Sequence, residues 1–401
     1  MNDTLFVQFY SRTESFNPRF KNISHYEVCN GFSDTWNLCK SKGDFLWINH
    51  SKQEKSYGTD IIKDVDPDLP IKKGIVYVSA YYLSHLHQVL KWAIRYPNIK
   101  FIAGGPACSP KVYKVDETII PSNLTIINCT VEEYFGVPNF SNEWKLELPN
   151  EDHSMTLNFM YTLMNTCYWG KCVFCNFSKQ KARFRPEIKF EFLNVDYQGN
   201  QRINLYSPSV TPKQLKTILG DTSYNEKIRY DIYLRANKNE RDVLKELFIN
   251  KQNNFPSCKF FLGIEFPSNR MLNYMKKNNT IEDFIDTIKM ISEYGNKESI
   301  MIHLPFIMGW DNLLPSDVSD MEYFLKKLDH KKTKFVFSVN MLRAFLNTPI
   351  YDMYTPHKDL YVGPFYYGFK PVVEKNQMEL IDQCMNLLYD QGVTVLDYRL
   401  L

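Results

Sequence analysis

No apolar run in the sequence approaches the roughly 20 residues that a membrane-spanning helix needs. The opening residues, Met1-Asn2-Asp3-Thr4-Leu5-Phe6, show no basic segment followed by an apolar one, so no signal peptide is expected. Blocks of like charge are missing too. Lys and Arg are interspersed with Asp and Glu and the net charge is only +3, which gives no nucleic-acid signal. The nine cysteines, an odd number in a large chain with no secretory segment, argue against a disulfide framework and for a reducing cytoplasm. What is present is apolar bulk. With 44% hydrophobic and 15% aromatic residues over 401 positions, the chain can bury the core of two domains, or of one large barrel with an appendage.

Cys167, Cys172 and Cys175 lie within residues 165–177, spaced C-x4-C-x2-C. Three thiolates in so short a stretch can wrap one soft metal centre; they suit zinc or an iron–sulfur cluster and fit magnesium or calcium poorly. A structural zinc site takes four protein ligands, usually as two separated pairs. No Cys-x2-Cys or His-x3-His pair stands elsewhere to complete one. A 4Fe-4S cluster on three cysteines keeps one iron open. A zinc knuckle, or a chance group of core cysteines, is the competing reading.

The stretch resembles the cluster loop of radical SAM enzymes, usually C-x3-C-x2-C with an aromatic residue before the last cysteine, the place that Phe174 takes. The resemblance implies a 4Fe-4S cluster on Cys167, Cys172 and Cys175, with S-adenosylmethionine chelating the open iron. One electron from a flavodoxin- or ferredoxin-type reductant then cleaves that cofactor to a 5′-deoxyadenosyl radical, which abstracts hydrogen from substrate. The chain departs from the pattern by one residue, x4 for x3, and Gly170 is the residue able to absorb it.

Upstream, residues 74–80, 83–96 and 100–103 read as strand, helix and strand, a βαβ unit with parallel strands. Residues 5–10, 44–49 and 124–129 are further strand candidates, and residues 132–135 a short helix. The second strand of the unit closes on Gly104-Gly105-Pro106. Open α/β sheets place ligands at such strand ends, and an ordinary tight turn uses the same residues. Residues 102–106 resemble the last strands of the cobalamin-binding domain that precedes the barrel in one large radical SAM branch. Cobalamin is therefore an additional cofactor that the resemblance allows, although the lower-ligand sequence Asp-x-His-x-x-Gly is missing. Cys29 and Cys39 make no ligand pair and read as buried thiols.

Residues 136–155, with their Pro, Asn and Ser, read as a linker. The barrel is expected to begin at a strand over 156–160 and to continue through strands at 202–207, 230–237, 259–266, 300–310 and 334–339, with helices between them. Thr280 and Asp283 form a capping-box-like start to the clearest of these helices, with Ile281, Phe284, Ile285, Ile288 and Ile291 as its core face. The resemblance implies roles at the strand ends. Ser207 or Ser209 stands where many members have Gly-Gly-Glu holding the methionine amino group, and a hydroxyl can accept from an ammonium. Arg235 stands where a residue near the cofactor's carboxylate is often found, which a guanidinium matches as a bidentate partner. Glu265, in Gly263-Ile264-Glu265, takes the place of an acid that hydrogen-bonds the ribose; a carboxylate ending so apolar a strand must find a partner if buried. Gly309 ends the strand beside which adenine packs. Arg183 and Arg185, after the cluster loop, contact substrate or the cofactor's carboxylate, or form a solvated face. His303 is read as a satisfied core histidine.

No second cluster is encoded, since Cys258 and Cys384 are isolated. Cys384 is a candidate hydrogen donor for inversion at a peptide Cα. A small core residue is the competing reading, because Leu380, Ile381, Leu387 and Leu388 share its helix face. The expected architecture is α/β: a partial (β/α)6 radical SAM barrel over 141–355, preceded by a small Rossmann-like, reduced cobalamin-binding-like domain over 1–140 and followed by an aromatic-rich extension over 356–401. The expected function is a cytoplasmic radical SAM enzyme that modifies a precursor peptide in ribosomal natural-product maturation. Cα epimerisation leads and cobalamin-dependent C-methylation is the alternative; neither nucleic acid nor membrane is a partner. A non-catalytic zinc-binding scaffold is the rival from another class.

Overall fold

The computed structural model describes residues 3–17, 20–28, 42–49, 68–80, 83–108, 114–115, 117–136, 156–162, 167–175, 201–206, 209–221, 228–346, 348–354, 365–366, 368–369 and 371–397. The expected linker, Arg183 and Arg185, Ser207, Cys29 and Cys39 lie outside them. Two compact units are present: Met1–Tyr161 with Lys189–Arg202 and Lys358–Tyr367, and Thr162–Ile188 with Ile203–His357 and Gly368–Leu401.

The first unit is organised around β1 (Thr4–Asn17). Its second half pairs antiparallel with β2 (Phe20–Val28). Its first half lies parallel between β3 (Asp44–Asn49) and β4 (Gly74–Ser79). Helix α1 (Leu83–Arg95) leads from β4 to the parallel strand β5 (Ile99–Gly104). The short β6 (Lys114–Val115) is followed by β7 (Leu124–Ile126), parallel to β5, by helix α2 (Val131–Tyr134), and by β8 (Thr156–Thr162), parallel to β2.

Strand alternation sorts the side chains of this sheet onto two faces. Leu5, Val7, Val76, Val78, Phe101 and Ala103 share one core with Leu86, Val89, Trp92 and Ala93 of α1. Phe6, Tyr77 and Ile102, the intervening residues, form a second core with Val131 and Phe135. There Phe6 stacks on Tyr77 at 5.1 Å and Phe135 meets Tyr77 edge-on at 4.8 Å. Burial on both faces explains why residues 74–80 read as one unbroken apolar run.

In the second unit β9 (Gln201–Tyr206) lies beside β10 (Ile228–Leu234). From β10 the strands follow in chain order, all parallel: β11 (Ser257–Leu262), β12 (Ile300–Met308) and β13 (Lys334–Met341). Helices α3 (Pro212–Asp221), α4 (Lys238–Lys251), α5 (Asn269–Tyr274), α6 (Ile281–Tyr294) and α7 (Pro315–Lys326) fill the crossovers. On the face carrying Phe260, Phe248 of α4 meets that ring edge-on at 6.4 Å. Helix α6 begins with the expected Thr280–Asp283 capping box and buries Ile281, Phe284, Ile285, Ile288 and Ile291. On the other face Tyr233, Phe261 and His303 stack across three strands, each step 4.5 Å, and His303 Nε2 bonds the Ser338 hydroxyl at 2.7 Å. Beyond β13 come the small strand β14 (Ala344–Phe345) and helix α8 (Pro349–Met353). In the chain's last part β15 (Phe365–Tyr366) pairs with β6, β16 (Gly368–Phe369) pairs with β14, and helix α9 (Lys375–Tyr389) leads to β17 (Thr394–Asp397), parallel to β13. The α/β class and its parallel sheets are as expected; β2 and β17 are additions that the sequence pattern did not show. Among the described residues no helix is long and apolar enough to cross a membrane.

Candidate functional site

The cysteine loop, residues 167–175, is held by a turn that follows α5. In that turn Lys276 and Asn278 both adopt left-handed backbone, φ 56° each. Successive carbonyls consequently point at the loop's surroundings. Met275 O accepts from Val173 N at 3.1 Å, Lys276 O accepts from Trp169 Nε1 at 2.8 Å, and Lys277 O accepts from the Arg235 guanidinium. Val173 O in turn accepts from Ile350 N at 3.1 Å, tying the loop to α8. Gly170 has φ 61°, the left-handed conformation that glycine adopts without a Cβ penalty.

All three cysteines are free thiols; Cys172 is buried and Cys167 and Cys175 are partly so. Burial pushes the Cys172 thiol up, the neighbouring Lys277 and Arg235 pull it down, and Glu265 and Cys167 push it up again. Strand ends of β10 and β11 therefore meet the loop, because Arg235 follows β10 and Glu265 follows β11. Among the described residues no three His, Cys, Asp or Glu side chains stand together as a ligand set for a single ion. The donor chemistry fits an iron–sulfur cluster: three thiols on one loop, with two fixed cations beside the buried one to offset thiolate charge.

Glu265 is expected to need a partner if buried, and it has one in Lys277. Its backbone takes φ 62°, a costly conformation for a non-glycine residue and one that clusters at functional sites. Backbone bonds on both sides fix it, Glu265 N to Pro305 O at 3.0 Å and Ile307 N to Glu265 O at 2.7 Å. The carboxylate has the partner its setting demands: Lys277 Nζ donates to Glu265 Oε1 at 3.1 Å and to Gly263 O at 2.5 Å. A Cβ at Gly263 would stand 2.9 Å from that same carboxylate oxygen, so glycine is what lets Glu265 lie across the strand end.

Arg235 is mostly committed within the protein. It donates to Lys277 O and to Asn279 Oδ1 at 2.9 Å, and its guanidinium sits 5.0 Å from the centre of the Trp169 ring. Ser209 is fully buried, near enough to the Tyr168 hydroxyl to pull that group's pKa down against the larger upward push of burial and Glu240. Phe174 meets Trp310 edge-on at 6.1 Å, with Lys277 Nζ 5.8 Å from the centre of the Phe174 ring. Gly309, just before Trp310, has φ 87°, and a Cβ there would stand 2.7 Å from the Met341 terminal methyl. The left-handed backbone is what favours glycine at 309, since the Met341 methyl ends a flexible side chain that can shift. Cys384 is completely buried on α9, and its thiol is pushed up to about 12 by burial and by Asp317; the groups acting on it include none of the loop cysteines.

Pattern reading missed Lys277, Trp169, Tyr168 and Glu240. Tyr168 donates to Glu240 Oε1 and accepts from Asn237 Nδ2 at 2.9 Å. The signal available was the polar run Lys276-Lys277-Asn278-Asn279 between two helices, with two residues that tolerate left-handed backbone. At the glycine pair of the first unit the missing Cβ atoms face the chain's own backbone. A Cβ at Gly104 would stand 2.7 Å from Cys129 O, and one at Gly105, φ 115°, 2.6 Å from Ala80 O. The chain's own backbone occupies the space, joined by Ala80 N to Gly104 O at 2.7 Å and Gly105 N to Cys129 O at 2.9 Å. Gly104-Gly105 is a close-packed turn.

No protein-family model matches the chain, and no curated protein matches it. Solved structures do. The chain is similar to the apo, selenomethionine-labelled form of the cobalamin-dependent S-adenosylmethionine radical enzyme OxsB, with 12% identity, a TM-score of 0.58, and coverage of 97% of this chain and 67% of that one. It is similar to OxsB with aqua-cobalamin and S-adenosylmethionine bound at 13% identity and a TM-score of 0.58, with the same coverage. It is similar to OxsB with aqua-cobalamin alone at 13% identity and a TM-score of 0.59. At such identity the likeness is one of fold: this chain has the parallel-sheet α/β fold of a radical SAM enzyme structure, over almost its whole length.

Proposed function

We propose that the chain is a radical SAM enzyme, with Cys167, Cys172 and Cys175 as cluster ligands. The observation that carries this is the convergence on Cys172 of Arg235, Lys277 and Glu265, from two strand ends and the turn after α5. A zinc scaffold has no need of two cations and a strained carboxylate beside its thiols. A bound 4Fe-4S cluster supplies the single electron for reductive cleavage of S-adenosylmethionine. The chain's own residues do the rest. Arg235 and Lys277 offset the charge of the thiolates. Glu265, held by Lys277, presents a carboxylate for ribose hydroxyls. Trp310 and Phe174 wall the site with aromatic surface and limit the access of water.

The substrate we propose is a peptide, and the electron donor a flavodoxin- or ferredoxin-type protein. Cα inversion would need a hydrogen donor, and the Cys384 thiol, fully buried on α9, supports that role poorly. C-methylation is favoured by the fold likeness to a cobalamin-dependent enzyme. Anaerobic reconstitution tests the core of the reading: about four irons and four labile sulfides per chain, and 5′-deoxyadenosine on adding reductant and S-adenosylmethionine. One zinc without labile sulfide would establish the scaffold. Cobalt in the purified protein would establish methylation, and deuterium at Cα after reaction in D2O would establish inversion.

A further inference from the structure

We propose that Glu240 is a positioning residue for the cysteine loop, acting through the hydroxyl of Tyr168. This rests on the function proposed above. Glu240 stands in the first turn of α4, is 2% exposed, and is the acceptor for Tyr168. A carboxylate so buried is costly unless something requires it. The α4 N-terminus favours a negative charge there, and the carboxylate's Oε1 is the atom that Tyr168 engages.

Its position along the loop gives the bond its consequence. Tyr168 and Trp169 are two of the four residues between Cys167 and Cys172, the interval that carries the extra residue. Both are fixed at the far ends of their side chains. Tyr168 is held by Glu240 and by Asn237 Nδ2 at 2.9 Å. Trp169 is held by Lys276 O at 2.8 Å and lies under the Arg235 guanidinium. Asn237 is itself held by Asn279 Nδ2 at 2.8 Å, and Asn279 Oδ1 accepts from Arg235 at 2.9 Å. The network closes on itself, so Glu240 fixes the far side of the same loop that Arg235 and the 275–277 carbonyls fix on the near side. A longer interval between ligands has more conformations to lose on binding, and the Tyr168 anchor removes them in advance. Asn237 and Glu240 bracket the start of α4, which makes the anchor a rigid one.

The test compares Tyr168→Phe, Glu240→Ala and Glu240→Gln with the unaltered protein after anaerobic reconstitution. Readouts are iron and labile sulfide per chain and the low-temperature EPR spectrum of the reduced cluster, before and after S-adenosylmethionine. Circular dichroism confirms folding. Groups that orient a metal's ligands change affinity by about tenfold or more. We expect Tyr168→Phe and Glu240→Ala to lose iron to a chelator about that much faster and to broaden the EPR signal, while Glu240→Gln, which still accepts from Tyr168, stays near the unaltered protein. Normal iron retention and an unchanged spectrum in Tyr168→Phe, which removes one oxygen, would overturn the proposal, even if Glu240→Ala fails to fold. Equal damage in Glu240→Gln and Glu240→Ala would also overturn it, by making charge rather than placement the cause. An unaltered protein that takes up no labile sulfide would sink the functional reading itself, before the variants are compared.

Discussion

Lys277 and Glu265 form an ion pair of 3.1 Å with side chains only 9% and 14% exposed. The same ammonium also donates to Gly263 O at 2.5 Å, so one lysine closes the strand-end turn at both its carbonyl and its carboxylate. Lys277 can do this because the turn after α5 bends twice through left-handed backbone, at Lys276 and Asn278. The pair joins α5's turn to the end of β11, and the cysteine loop rests on that turn.

Removing the lysine should therefore be expensive. Lys277→Met leaves a carboxylate and a carbonyl largely out of water without their cation, and breaking such a pair costs about 3–5 kcal/mol. Urea unfolding should show the loss as a lower midpoint with an unchanged slope. Glu265→Gln added to Lys277→Met should cost less than the sum of the two single changes, because the stranded charge is then gone. A loss under about 0.5 kcal/mol for Lys277→Met would mean a pair with surface character and no part in holding the site.

The turn can be tested by backbone alone. Lys276 is exposed at φ 56° and contributes its carbonyl to Trp169. Left-handed backbone costs an L-residue about 1–2 kcal/mol, most for β-branched ones. Lys276→Gly should be at least as stable as the unaltered protein, after allowing for the entropy that glycine adds to the unfolded chain. Lys276→Val should fall below it by about 2 kcal/mol. Equal midpoints for the glycine and valine variants would mean that the turn readily leaves the left-handed region.

Much of this was legible in the sequence, and the reasons are specific. The apolar run at 74–80 announced a strand, and β4 is one, buried on both faces. Thr280 and Asp283 announced the start of α6 because a cap is a local device. The demand for a partner to Glu265 was legible from the apolar strand around it. The identity of that partner was not, since Lys277 reaches it across a helix and two unusual turns that no periodicity records. β2 was missed because the sequence Phe20-Lys21-Asn22-Ile23-Ser24-His25-Tyr26-Glu27-Val28 has neither an unbroken apolar run nor a clean apolar–polar alternation. Gly104-Gly105 reads as a turn, and a glycine pair marks close approach; the structure adds that the chain's own backbone faces both missing Cβ atoms.

That close approach yields a comparison within the first unit. Gly105 has φ 115° and meets Ala80 O, whereas Gly136 has φ 69° with nothing within 4 Å of its missing Cβ. Gly136→Ala should cost only left-handed strain, about 1 kcal/mol. Gly105→Ala adds a collision with backbone that has no rotamer to escape into, and should cost about 3 kcal/mol or more. Thermal unfolding of the two variants should rank them in that order. The reverse order would mean that the β4–β5 strand ends part easily.

Cys384 gives a prediction whose sign is fixed by burial. Its ordinary value is 9.0, and in the folded protein burial, with Asp317 adding to it, pushes it up to about 12. Below pH 9 both states keep the proton and the thiol contributes no pH dependence. Above that the unfolded chain ionises first, it binds fewer protons than the folded one, and stability falls as pH rises until the folded thiol also ionises. At about pH 10 the unaltered protein should have lost about 1.4 kcal/mol through this group alone. Cys384→Ala should be less stable at about pH 8 by the small cavity it leaves, about 1 kcal/mol, and should lose none of this further amount. The gap between the two proteins, measured by urea midpoints, should therefore close or reverse between about pH 8 and pH 10. A constant gap would mean that the thiol titrates at its ordinary value and is open to water, as a hydrogen donor facing a substrate would have to be.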